Sequence, residues 1–258
     1  MDALSDPACL LESKQVIKHL EHILKSEFFG VIKQFSGSAV EKYWLTGVLP
    51  AFRDGISPLT ATQLISFDQR YQSLCGLTQE DVDAIVTRTL RDLPESDPAR
   101  ILDSLKRWYN GYRFGLASPR SVDSTLYNPQ LVFVHLRNVI SAQPPLSYIG
   151  EANAIHTATV LSAVGETGPV TIHNLLDTLF CSKVEGKILK ELSFAELTQD
   201  LKIRSSNVTW SLLYYLGVVT LHEHSGYLCV PNRSMVELVS PRMSSLGEVL
   251  IIDLVPTD

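Results

Sequence analysis

Apolar positions recur at helical spacing from the first residues of the chain. Leu10, Leu11, Val16, Ile17, Leu20, Ile23, Leu24, Phe28 and Ile32 fall near a 3.6-residue period with Lys and Glu between them, which predicts a helix over 10–35. Ser36-Gly37-Ser38 breaks it. The pattern then changes: Tyr43, Trp44, Leu45 and Val48 make a short β-prone run that Pro50 closes. A nearly continuous apolar strand suits a parallel sheet buried on both faces, yet no series of strands precedes it. It reads as one strand of a sheet whose other strands lie upstream or come from a partner.

Residues 51–77 read as irregular. A helix is expected from Thr78, with Leu77 and Val82 as hydrophobic staple and Asp81 in the place of the usual capping-box Glu. Pro94 to Pro98 reads as a polar linker. In the helix 99–110, Ile101, Leu105 and Trp108 share a face, and the aromatic-rich exit Trp108-Tyr109-Asn110-Gly111-Tyr112-Arg113-Phe114 follows. Gly111 there is the expected left-handed C-cap, a geometry Asn110 also tolerates. After a loop at 115–126, Tyr127-Asn128-Pro129 predicts a further helix, with Asn128 capping and Pro129 in the first turn, running to about Ile140. Gln143-Pro144-Pro145 marks a domain boundary near 145.

Two more helices are expected at 151–164 and 171–181, and the charged segment 181–192 reads as surface. Ser193-Phe194-Ala195-Glu196 is a complete capping box, with Leu192 and Leu197 as staple. The helix opened by Ser205-Ser206-Asn207 carries Trp210, Leu213, Tyr214 and Leu216 and ends at Gly217. Strands at 218–222 and 226–230 and a helix from Ser234 complete a helix, helix, hairpin, helix order, the pattern of a winged-helix unit. The fold class expected is mainly α with minor β (α+β). The domains expected are 1–70, a helical region 71–145 and a helical plus winged-helix-like domain 146–258.

Charge narrows what this can do. The net charge is −6, so nothing global attracts nucleic acid or an anionic membrane. The helix Ser206–Gly217, in the place of a recognition helix, contains no Lys or Arg, which speaks against DNA binding. The four cysteines form no CxxC pair and, with no signal-peptide pattern and no apolar run of membrane-spanning length, point to the cytoplasm or nucleus. His19 with His22, and His222 with His224, each lack the further ligands a zinc site needs, so no metal is expected. No GxxxxGK[ST], HExxH, GxSxG or strand-borne GxGxxG occurs.

Five segments together resemble the AAA-ATPase-like family, a P-loop NTPase-related group of bacteria and fungi. They are Leu45-Thr46-Gly47-Val48-Leu49-Pro50, Leu74 to Val82, Trp108 to Phe114, Tyr127-Asn128-Pro129 and Leu212 to Gly217. Trp108, Tyr109, Asn110, Gly111, Tyr112, Asn128 and Pro129 form its structural signature in this chain. The resemblance implies that the Thr46 strand is the remnant of a P-loop ATPase sheet and that 71–145 is a helical lid. It also implies that Thr46, Arg53 and Arg113 approach nucleotide in complete relatives, where ATP and Mg are the cofactors. The P-loop and the metal-holding acids of those relatives have no counterpart here, so no cofactor and no catalytic residue is expected of this chain. The expectation is a fragment or degenerate member without NTPase activity of its own, acting through an unidentified protein partner. The alternatives are a truncated gene model of an active ATP-binding protein and a nucleic-acid-binding winged-helix protein.

Overall fold

The computed structural model describes residues 15–16, 18–19, 22–47, 49–50, 63–92, 97–114, 125–140, 183–193, 196, 204–223 and 226–244. The fold is mainly helical with one small three-stranded antiparallel sheet. The chain divides into two compact units, one of 1–63 with 191–198 and one of 64–190 with 199–258. The expected boundary near 145 lies outside the described residues. Segments from both sides of it, α3 and α6 below, pack together within the second unit. Among the described residues no helix is long and apolar enough to cross a membrane.

In the first unit a π-helical stretch, Ile23–Phe29, runs directly into α1, Gly30–Phe35. The α-helical period places Phe28 on the core face. In the structure Phe29 is buried, while Phe28, Val31 and Phe35 are exposed. The wider π turn rotates the face that follows it, so the 3.6-residue extrapolation loses its phase here. Ser36 and Val40 then bridge a tight turn with Gly37 at φ 85°.

The strand expected at 41–50 is not formed: residues 41–47 make no strand, and Trp44 is 63% exposed. A β-strand is stabilised by a neighbour that pairs its backbone along its length, whereas here the Leu192 N–H donates to the Pro50 carbonyl at the end of the stretch, at 3.2 Å, without forming a ladder. Farther on in this unit, Ser193 and Glu196 close the expected capping box. The Glu196 carboxylate accepts from the Ser193 backbone N–H at 2.8 Å, and Ser193 Oγ accepts from the Glu196 N–H at 3.1 Å.

In the second unit α2 spans Gln79–Thr89, opened by the expected capping box between Thr78 and Asp81. Helix α3 spans Pro98–Tyr109, with Asp97 as N-cap accepting from the Ala99 and Arg100 N–H groups. The Asp-Pro pair read as linker is therefore the start of the helix. Helix α4, Pro129–Ile140, begins as expected, with Asn128 Oδ1 accepting from the Leu131 N–H. Val82, Val86, Leu105, Tyr109, Tyr127, Leu131, Val132 and Leu136 form the core between these three helices.

Helix α5, Ser206–Tyr215, is capped by Ser205 and left at Gly217, φ 77°. The hairpin follows as β2 (Thr220–Leu221) and β3 (Tyr227–Cys229), shorter than expected, and α6 runs Arg233–Ser244. The strand β1, Val184–Glu185, pairs with β3 and gives the sheet order β1-β3-β2. It lies in the segment read only as charged surface, because two residues are too few to show an alternating pattern. Trp210, Leu213, Tyr214, Val218, Val219 and Leu228 build the second core around α5.

Candidate functional site

The aromatic exit of α3 is where the three helices of the first core meet the hairpin and α6. Tyr109, 1% exposed, ends α3 in that core, with Trp108 half-buried beside it. Asn110 follows in extended conformation, φ −84° and ψ 175°, and its Oδ1 accepts from the Gly111 N–H at 2.7 Å. The left-handed residue is Gly111 alone, at φ 109°. Its second constraint is contact: a Cβ here would lie 1.9 Å from the Pro231 carbonyl oxygen. The glycine expected as a helix stop thus also lets two backbones touch.

Five backbone carbonyls of this exit, those of Trp108, Tyr109, Asn110, Tyr112 and Arg113, are taken up by other segments. Ser234 Oγ donates to the Trp108 carbonyl at 2.8 Å, and the Asn128 N–H donates to that of Tyr109 at 3.3 Å. Asn232 Nδ2 donates to Asn110 at 2.9 Å, inside the core. Tyr112 and Leu126 exchange both backbone bonds, at 3.2 and 2.8 Å. The Arg113 N–H donates to Thr220 Oγ1 at 2.8 Å, and Tyr214 Oη donates to the Arg113 carbonyl at 3.2 Å. A helix C-terminus has carbonyls with no intrahelical partner, and here the C-terminal segment and the Tyr127-Asn128 turn supply the donors. On the outside, the Arg233 guanidinium sits 4.7 Å from the Trp108 ring centre and Nε pairs with Glu237 at 3.2 Å.

The electrostatics keep the hydroxyl and thiol groups of this site protonated. Burial pushes the Tyr109 hydroxyl up to about 12, with the Glu237 charge adding to the shift. Burial also raises Tyr112, against an opposing hydrogen bond to Asn232, and raises Tyr127, against bonds to Asn110 and Gln79. All three phenols stay neutral near pH 7, so none serves as a base there, and the Tyr127 hydroxyl donates to Gln79 Oε1. The Cys229 thiol is pushed up to about 11 by burial, only partly opposed by the charge of Arg113, so it is no thiolate nucleophile. Among the described residues no group of three His, Cys, Asp or Glu side chains is placed to hold a metal ion.

The signature residues Trp108, Tyr109, Asn110, Gly111, Tyr112, Asn128 and Pro129 are therefore brought together. Of the nucleotide-facing candidates, Thr46 and Arg113 fall in different units. Thr46 is exposed in the first unit. Arg53 lies outside the described residues. Arg113 is half-buried in the second unit, its backbone held by Thr220 and Tyr214. Sequence reasoning missed Asn232, Ser234, Thr220 and His135. Asn232 and Ser234 have the cap-like Asn-Arg-Ser spacing that marks the start of α6, where Asn232 Oδ1 accepts from the Met235 N–H. Nothing local in the sequence marks Thr220 or His135.

Over 130 residues the chain is 28% identical to a protein of Azotobacter chroococcum mcd 1 described as "Uncharacterized protein in vnfD 5'region". The match covers 50% of this chain and 21% of that protein, so the chain spans about a fifth of the length of the relative it matches. No family profile matches the chain. No solved structure matches it.

Proposed function

We propose that this chain is a fragment or degenerate member of an AAA-ATPase-like protein, without NTPase activity of its own, that works by binding another protein. The observation that carries the interaction reading is the surface of the first unit. Phe28, Val31 and Phe35 stand exposed on one helical segment, and Trp44 and Leu45 stand exposed on the non-strand stretch that follows. Large apolar side chains left exposed this close together in the sequence support a surface that a partner covers. The absence of a GxxxxGK[ST] and the exposure of Thr46 speak against an ATP site within the chain.

Co-expression with the unmatched remainder of the Azotobacter relative tests the reading. Co-purification that Trp44→Asp abolishes is the expected result. Failure to co-purify, or a complex indifferent to Trp44→Asp, would count against it. ATP turnover by the purified chain above a heat-killed control would favour an active ATP-binding protein instead.

For 146–258 the reading is a helical plus winged-helix-like domain, supported by α5, the hairpin, α6 and the sheet order β1-β3-β2. The nucleic-acid alternative is opposed by packing as well as charge. Seven of the ten residues of α5, Val208 to Tyr214, are buried, which leaves no face for a groove. Salt-dependent binding of duplex DNA at low ionic strength would restore that alternative.

A further inference from the structure

We propose that the buried contact between His135 and Tyr109 is an acid-sensitive latch: a proton taken up at His135 releases the end of α3 and, through the carbonyls α3 offers, the start of α6. His135 lies on α4, 3% exposed, between helices rather than at a surface. Its Nδ1 is 3.4 Å from Tyr109 Oη, and the two rings meet edge to face with centres 5.4 Å apart. Tyr109 is the last residue of α3, and the carbonyls of Trp108, Tyr109 and Asn110 hold Ser234, Asn128 and Asn232. A change at His135 therefore acts on the residue from which the clamp begins.

An imidazolium in this position finds no compensating charge among the described residues. Helix α2 turns Val82 and Val86 inward and leaves Glu80, Asp81, Asp83 and Arg88 exposed. On α3, Arg100, Asp103, Lys106 and Arg107 are all exposed, with Asp103 and Arg107 paired. On α4 itself, Arg137 is exposed, and the buried Asn138 has an Nδ2 with no hydrogen-bond partner. From α6, Glu237 acts on Tyr109 and is paired to Arg233. Burial accordingly holds the His135 pKa below its ordinary value. The folded core refuses a proton that the unfolded chain accepts, so stability is complete above the ordinary histidine pKa of about 6.5. It falls as pH drops below that value, toward the lower folded one, because the unfolded state then binds more protons.

Urea unfolding at about pH 7.5 and about pH 5.5 tests the latch. In the wild type the folded-to-unfolded ratio is expected to fall by up to about tenfold from this residue over the unit below its ordinary pKa. His135→Gln keeps a neutral polar side chain beside Tyr109 and is expected to remove that part of the fall. In wild-type protein, amide exchange corrected for intrinsic rates is expected to rise together in 98–114 and 233–244 on acidification. An unchanged pH dependence in His135→Gln, or opening of 98–114 without 233–244, would overturn the proposal. If that variant does not fold, NMR titration of the wild-type ring decides: a midpoint at the ordinary value in folded protein overturns it, and a clearly lower one upholds it.

Discussion

At the end of α3 Gly111 faces the Pro231 backbone and Asn232 holds the Asn110 carbonyl, and each has a cost that can be measured. Gly111→Ala places a methyl 1.9 Å from the Pro231 carbonyl oxygen at a backbone φ of 109°, so both strain and collision oppose it. A loss of about 3 kcal/mol or more is expected in urea unfolding, and a near-wild-type midpoint would show that the two backbones do not touch. Asn232→Ala strips the buried Asn110 carbonyl of its donor and is expected to cost about 1–3 kcal/mol. Between the neighbouring rings the order of effects is also set. Tyr109→Ala should cost about 3–5 kcal/mol because the ring is fully buried. The half-buried Trp108 should cost distinctly less, and the reverse order in matched melts would refute this packing. The ring-rich exit announces itself in the sequence, but which ring is the anchor depends on what packs over it.

At the scale of elements, local chemistry was the most legible part of the chain. The capping boxes at Thr78–Asp81 and Ser193–Glu196 and the Asn128-Pro129 start are complete within a few residues, and all three form as read. Thr78→Ala should lower stability by about 1 kcal/mol, seen as a lower urea midpoint at neutral pH. The backbone hydrogen bond from Thr78, and then its side-chain bond, hold the Asp81 carboxyl below the ordinary carboxylate value. A depressed folded pKa contributes stability above the unfolded value of about 3.9 and loses it as pH falls through the lower folded one. Acidification into that window should therefore weaken the wild type more than Asp81→Asn. Equal acid profiles would show that the box is not formed in solution. Elements that depend on distant partners are the least legible: 41–47 looks like a strand and forms none, while β1 looks like charged surface and pairs with β3.

For the whole molecule, the exposed apolar side chains of the first unit separate stability from association. Trp44→Asp removes no buried contact, so unfolding should change by less than about 0.5 kcal/mol while partner binding is lost. A large loss of stability would mean that Trp44 belongs to a core.

The sequence by itself determined what short-range geometry can decide: the mainly helical class, the caps, the glycine at the α3 exit and the absence of basic side chains on α5. Each of these depends on residues within a turn or two of one another, so pattern and side-chain chemistry are enough. Only the tertiary structure decided which carbonyls Asn232 and Ser234 reach, which ring is buried, and that β1 completes a sheet. It also decided that His135 lies closed in a helical core and that Trp44 faces out. Those outcomes turn on contacts between residues more than twenty positions apart, which close only when the segments have packed and which leave no local mark in the chain.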